Sequence, residues 1–233
     1  MWWKNRRTQI AKVTTAFSYL DSNSCFLACT LVAGVGTALA WTSTVIPQLS
    51  AANSWLFVTE EQGSWISSLL AVGAIVGALG SGSMADKMGR KKSLLLLSVP
   101  FLASWGLILV AKNVRLLYIA RFVVGAGVGA GCVLGPTYIS EIAEVSTKGT
   151  LGALFQLFLT VGIFVAFILG SVLNYTMFAL VCALIIVLFL VTFYWMPESP
   201  VWLVVSNKEE LHFYDYASFK CSNDCPLFDL LMY

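Results

Sequence analysis

An all-α fold of membrane-spanning helices is predicted by the composition of this chain and by the length of its uncharged segments. Hydrophobic residues make up 58% of the sequence and charged residues 11%. The mean hydropathy is +0.82, which is not typical of soluble domains. A helix needs about 20 apolar residues to cross ~30 Å of hydrocarbon. Six segments meet this requirement: Phe26–Ile46, Ser64–Met84, Ser93–Ala111, Leu117–Tyr138, Leu151–Leu169 and Met177–Trp195.

Each of these spans is expected to be a helix because lipid offers no hydrogen-bond partners to backbone groups. The apolar residues run continuously and do not alternate with polar ones, which argues against barrel strands. The predicted organisation is a cytoplasmic N-terminal segment over residues 1–25, a six-helix bundle over 26–205, and an atypical cytoplasmic tail over 206–233 that we expect to be poorly ordered.

The distribution of Lys and Arg predicts that both termini are cytoplasmic. Lys112 and Arg115 fall on one side of the six spans, and Arg121 lies inside the fourth span. The remaining basic residues share the opposite side, which the positive-inside rule assigns to the cytoplasm. They are Lys4, Arg6, Arg7, Lys12, Lys87, Arg90, Lys91, Lys92, Lys148, Lys208 and Lys220. The predicted protein is a multi-pass protein of the plasma membrane. Ala38-Leu39-Ala40 is similar to a signal-peptidase site, but we expect the first span to remain uncleaved.

The stretch 82-GSMADKMGRKKS-93 lies between the second and third spans and places an acid among several bases. A basic cluster alone is common in short cytoplasmic loops, but two glycines are also present, which we expect to permit a tight turn. The whole pattern resembles the signature loop between the second and third helices of the major facilitator superfamily. The matching residues are Gly82, Asp86, Gly89, Arg90 and Lys91.

The fourth span narrows the resemblance to the sugar porter family. Its sequence 121-RFVVGAGVGAG-131 is followed by 136-PTYISE-141 and then by Lys148-Gly149, which is similar to that family's signature. Helical periodicity puts Gly125 and Gly129 on one face and Gly127 and Gly131 on another, so two neighbouring backbones can approach closely. Besides these glycines, the matching residues are Arg121, Glu141 and Lys148.

A third landmark, 197-PESPVWL-203, is similar to the motif that closes the first half of sugar porters. It includes Glu198, but Val201 stands where the family has arginine. The three landmarks occur in the family's order and cover roughly residues 26–205. The resemblance therefore implies the N-terminal half of a major facilitator fold.

An arginine within a membrane span is costly unless it faces protein or water, so Arg121 is a candidate functional residue. Its alternative is snorkelling to the membrane surface. Gln156 in the fifth span offers two donors and an acceptor, which suit a vicinal diol. Its alternative is an interhelical hydrogen bond. The resemblance implies that both residues bind substrate, and we assign the same role to Thr42 and Ile163.

Thr42 bears on the coupling mechanism. Proton-coupled sugar porters carry an aspartate at the position of Thr42, whereas the stretch 41-WTST-44 has no carboxylate that could bind a proton. The sequence therefore predicts a facilitative uniporter, and it resembles animal hexose facilitators and insect facilitated trehalose transporters. Which sugar is transported is left open.

Two features depart from the family pattern. Glu144 replaces a usual proline, and residues 212–233 resemble nothing in the family, which continues with six further spans. An incomplete gene model, a splice product and a fragment that pairs with another half are all compatible with this tail.

The expected partners are a sugar, the lipid bilayer, and a C-terminal half or full-length transporter, with no nucleic acid. The alternative function is a non-transporting isoform that associates with full-length transporters.

Enzymatic activity, a cofactor and a bound metal are not expected. His212 is the one histidine of the sequence, and no Ser/His/Asp grouping surrounds it. The six cysteines show no metal-ligand spacing and are interpreted as small packing residues.

Overall fold

The computed structural model describes residues 28–50, 56–142 and 148–195 and confirms the predicted all-helical fold. Glu144, Glu198, Val201, His212 and both predicted terminal segments lie outside these residues. The described residues form six helices, each long and apolar enough to cross a membrane. They are α1 (Ala28–Leu49), α2 (Glu60–Met88), α3 (Arg90–Val110), α4 (Val114–Ile142), α5 (Lys148–Val172) and α6 (Tyr175–Phe193).

The helix bounds differ from the predicted spans by one to four residues because caps, and not hydropathy, determine where a helix begins. α2 begins at Glu60, before the predicted Ser64, because Thr59 and Gln62 form a capping box. The Gln62 backbone N donates to Thr59 Oγ1 at 3.3 Å, and the Thr59 N donates to Gln62 Oε1 at 3.2 Å. Polar residues thus extend a helix whose apolar segment is shorter.

The turn between α2 and α3 is made by Gly89 alone. Its φ of 95° lies in the region that glycine adopts without steric cost. Its backbone N donates to Ala85 O at 3.0 Å, which ends α2. Gly82 lies inside α2 and is exposed. The expectation that both glycines shape the turn is wrong for Gly82, because α2 continues through the charged residues to Met88.

Backbone contact without intervening side chains joins α4 to α2. A Cβ added to Gly125 would overlap the Leu70 backbone, and one added to Gly129 would overlap that of Ala74. On another face of α4, Gly127 lies against the Phe101 ring of α3. Gly131 lies against α1, where the nearest neighbour of an added Cβ would be Val35 Cγ2 at 3.2 Å. These small residues allow α4 to occupy the centre of the bundle.

α1 is the other central helix and packs closely on α5. A Cβ added to Gly162 would overlap the Ala33 backbone. In the last turn of α1, Gln48 Nε2 donates to Gly170 O at 2.7 Å. α1 and α4 bury the largest shares of their apolar segments, whereas α2 and α5 bury the smallest. The bundle therefore has a packed centre and two helices with open faces.

Candidate functional site

Arg121 links the two central helices. It lies about two turns into α4 and has no solvent-exposed surface. Its Nη2 donates to Ala38 O at 2.9 Å and to Thr42 Oγ1 at 2.6 Å, both on α1. Its Cζ lies 4.9 Å from the centroid of the Trp41 ring, a cation–π distance. The guanidinium thus lies among protein groups and does not snorkel to the end of its helix.

Thr42 also lines an open groove between α1 and α2. The groove encloses about 400 Å³. Its polar lining comes from Thr42, Ser43 and Ser67, and the rest of its wall is apolar. Apolar walls with a few polar groups are typical of sites for small molecules. Because the Thr42 hydroxyl accepts a bond from Arg121, it connects the groove to the buried charge.

Gln156 and Ile163 lie on α5, two turns apart on the same helix face. Gln156 is exposed, and within the described part of the chain its side chain makes no hydrogen bond; its carbonyl O accepts one from Thr160 Oγ1 at 3.0 Å. Ile163 is half-buried. The Gln156 amide is therefore unengaged on the open face of α5.

The structure does not bring Gln156 into contact with Arg121. α1 and α5 are parallel, with Ala33 against Gly162 and Thr44 against Gly170. Thr42 is therefore level with residue 168 of α5, twelve residues beyond Gln156, which corresponds to about 18 Å along the helix. Ile163 lies between these two levels, about 10 Å along α5 from Gln156 and about 8 Å from residue 168, so the four predicted substrate-binding residues do not share one level.

A second charged cluster lies at the end of the bundle where α2 meets α3. Arg90 Nε contacts Glu141 Oε1 at 3.1 Å, and Arg90 Nη1 contacts Asp86 Oδ1 at 3.3 Å. The Lys91 ammonium lies 5.8 Å from the centroid of the Tyr194 ring. Lys148, at the start of α5, is exposed. Arg90 therefore connects α2, α3 and α4 at this end.

The two carboxylates of this cluster should respond differently to neutralisation. The Glu141 side chain is 13% exposed, whereas that of Asp86 is 74% exposed and screened by solvent. Glu141→Gln should lower the thermal midpoint by several degrees, corresponding to about 1–2 kcal/mol, because it weakens a partly buried charged hydrogen bond. Asp86→Asn should change it by less than about 1 °C. Equal losses in the two variants, measured by thermal unfolding in one detergent, would contradict this assignment.

Two contacts were not anticipated from the sequence. Trp41 stacks on the guanidinium of Arg121 and packs edge-on against Tyr175 with ring centroids 6.2 Å apart. Gln48, and not Gln156, makes an interhelical hydrogen bond through its side-chain amide. A tryptophan next to Thr42 and an amide near the end of a span were visible in the sequence. Neither residue indicates by itself which helix it contacts.

The cysteines that the structure describes differ in burial. Cys29 and Cys182 are buried, as expected of packing residues, but Cys132 is exposed on α4. Among the described residues, no group of three or more His, Cys, Asp or Glu side chains could hold a metal ion.

Comparison with known proteins places this arrangement in a family. The family model described as sugar (and other) transporter matches residues 13–214. The facilitated trehalose transporter Tret1 of Drosophila yakuba is 36% identical over 177 residues, and trehalose transporter 1 of Drosophila melanogaster is 33% identical over the same length. Each alignment covers 76% of this chain and 21% of the relative, so the chain spans about a fifth of the length of these proteins.

The fold is shared with solved transporters. The structure of the proton:xylose symporter XylE bound to 6-bromo-6-deoxy-D-glucose aligns with a TM-score of 0.75 at 22% identity, over 87% of this chain and 50% of that one. A partially occluded, inward-open form of the xylose transporter XylE from E. coli aligns with a TM-score of 0.71 at 21% identity, over 82% of this chain and 53% of that one. These alignments show a major facilitator fold. Together with the family match, they show that the chain belongs to the sugar transporter family.

Proposed function

We propose that this chain supplies the first six helices of a facilitative transporter that moves a hexose or trehalose down its gradient by alternating access. Family membership supports a sugar as the substrate class. The similarity to facilitated trehalose transporters supports facilitated diffusion of a neutral sugar. In this proposal the membrane is the plasma membrane, both termini are cytoplasmic, and the Arg90 cluster belongs to the cytoplasmic gate.

The observation that carries the uniport mechanism is the hydrogen bond from Arg121 to Thr42. A proton symporter needs a carboxylate whose protonation is linked to substrate binding, and a threonine hydroxyl does not titrate. Within the described residues, acidic side chains occur only in the first or last turns of helices: Glu60, Glu61, Asp86 and Glu141. The interior of the described bundle thus offers no proton-binding carboxylate.

Uptake in the presence of a proton ionophore tests the mechanism. Cells expressing this half within a complete transporter should equilibrate the sugar without accumulating it. The ionophore should leave the initial rate within about 20% of the untreated rate, because the interior of the described bundle has no carboxylate to bind the proton. A known proton-coupled sugar porter serves as the positive control. Uphill accumulation that the ionophore abolishes would rule out uniport.

The alternative is a non-transporting protein that associates with full-length transporters. Alternating access requires two halves that move about a site between them, and the chain aligns with about half of the xylose symporter. Reconstituted chain alone should then show no sugar uptake, and co-expression should lower uptake by the full-length protein. Uptake by the reconstituted chain alone would exclude this alternative.

A further inference from the structure

The Arg121 site contains more hydrogen-bond donors than acceptors. The guanidinium Nε and Nη1 are buried and have no hydrogen-bond partner in the described part of the chain. The indole Nε1 of Trp41, whose ring stacks on the same guanidinium, is buried and unpartnered as well. Ala38 O and Thr42 Oγ1 both accept from Nη2 and leave the other nitrogens unmatched. Three donor atoms on two contacting side chains thus have no acceptor among the described residues.

The positive charge is also unbalanced. Arg121 takes part in neither of the two ion pairs that Arg90 forms with Asp86 and Glu141. Glu60 and Glu61 lie in the exposed first turn of α2, and neither forms an ion pair with Arg121. A buried, isolated charge is far more costly than an unmatched dipole. Water could satisfy the donors but would leave the charge, whereas an anion supplies both the acceptor and the opposite charge.

We propose that a small inorganic monoanion such as chloride binds at the guanidinium of Arg121, with the Trp41 indole N–H as a further donor. The anion reaches the site from the groove that Thr42 lines. Since Arg121 has no exposed surface, a ligand must pass the Thr42 side chain, which favours a single atom over the carboxylate of a sugar acid. The anion is a bound counter-ion of the bundle and not the transported substrate, so the site does not depend on whether the chain transports sugar.

Thermal unfolding of the purified 233-residue chain tests this site. Sodium gluconate is replaced stepwise by sodium chloride at constant ionic strength, so that only the anion changes. Binding should raise the midpoint saturably, by about 3–6 °C when chloride reaches ten times its dissociation constant. Bromide should act like chloride and should also quench part of the tryptophan fluorescence, because Trp41 lies at the site. A midpoint that is independent of halide would overturn the proposal.

Three variants make the test specific. Arg121→Gln should abolish the halide-dependent rise. Thr42→Asp places a tethered carboxylate where Thr42 Oγ1 now lies 2.6 Å from the guanidinium, so it should raise the midpoint in gluconate and remove the halide dependence. Trp105→Phe is the matched control, because Trp105 Nε1 is also buried and unpartnered but belongs to α3. It should keep the full halide dependence. Persistence of that dependence in both Arg121→Gln and Thr42→Asp would overturn the proposal.

A separate titration distinguishes a small inorganic anion from an anionic sugar as the ligand of Arg121. Sodium glucuronate carries a carboxylate on a sugar ring, and under the proposal it should leave the midpoint where gluconate does. A rise with glucuronate but not with chloride would assign the charge to an anionic sugar and exclude the small counter-ion. The wild-type chain is used in this titration, so a folding defect in a variant cannot decide its outcome.

Discussion

Gly129→Val should prevent the bundle from folding stably. A Cβ at this position would lie 2.6 Å from the carbonyl carbon of Ala74 and would overlap its oxygen. Backbone atoms cannot rotate away as a side chain can, so α2 and α4 would have to separate along their contact. Because α4 is one of the two central helices, we expect a loss of about 3 kcal/mol or more. The measurement is the yield of monodisperse protein and its thermal midpoint in detergent.

Gly106→Val on α3 is the matched control for this substitution. Nothing lies within 4 Å of a Cβ added there, and the residue is exposed. The same change of residue type should therefore leave the thermal midpoint within about 2 °C of the wild-type value. A loss in Gly106→Val comparable to that in Gly129→Val would show that valine is harmful for reasons unrelated to the contact between α2 and α4.

Gln156→Ala should weaken sugar binding by the assembled transporter roughly 5- to 150-fold, equivalent to about 1–3 kcal/mol. The amide is exposed on the open face of α5 and makes no hydrogen bond within the described part of the chain, so its donors and acceptor remain available to hydroxyl groups. Gln156→Leu should have the same effect, because an exposed position accepts an apolar residue of similar size. The 233-residue chain by itself, with half of a cavity, should bind too weakly for detection.

Gln48→Ala separates sugar binding from helix packing. The Gln48 amide is bound to Gly170 O, so its loss should lower the thermal midpoint and leave KM for sugar uptake within about twofold. Gln156→Ala should show the opposite pattern, with a changed KM and an unchanged midpoint. If Gln156→Ala lowered the midpoint and left KM unchanged, Gln156 would be a packing residue.

The membrane class, the six helices and the family could be recognised from the sequence alone. The hydrocarbon thickness limits the length of any span, so uncharged segments such as Leu151–Leu169 are recognisable without knowledge of their neighbours. The predicted helix bounds were less accurate than the predicted number of helices. At the start of α2, for example, the capping box of Thr59 and Gln62 lies outside the apolar segment. The role of Gly82 was misassigned for a related reason: a glycine permits a turn but does not require one, and only the φ of Gly89 shows where the turn lies.

The partners of the charged and polar residues were decided by the tertiary structure. Arg121 was a candidate because a charge in a span is costly, but its contacts with Trp41, Ala38 and Thr42 depend on how α1 packs against α4. Likewise, Gln48 and Gln156 carry the same amide and both are exposed, but only Gln48 lies close enough to Gly170 to donate a hydrogen bond to its carbonyl O. Composition and periodicity are local properties of a chain, whereas a hydrogen bond between residues on different helices depends on the position and rotation of both.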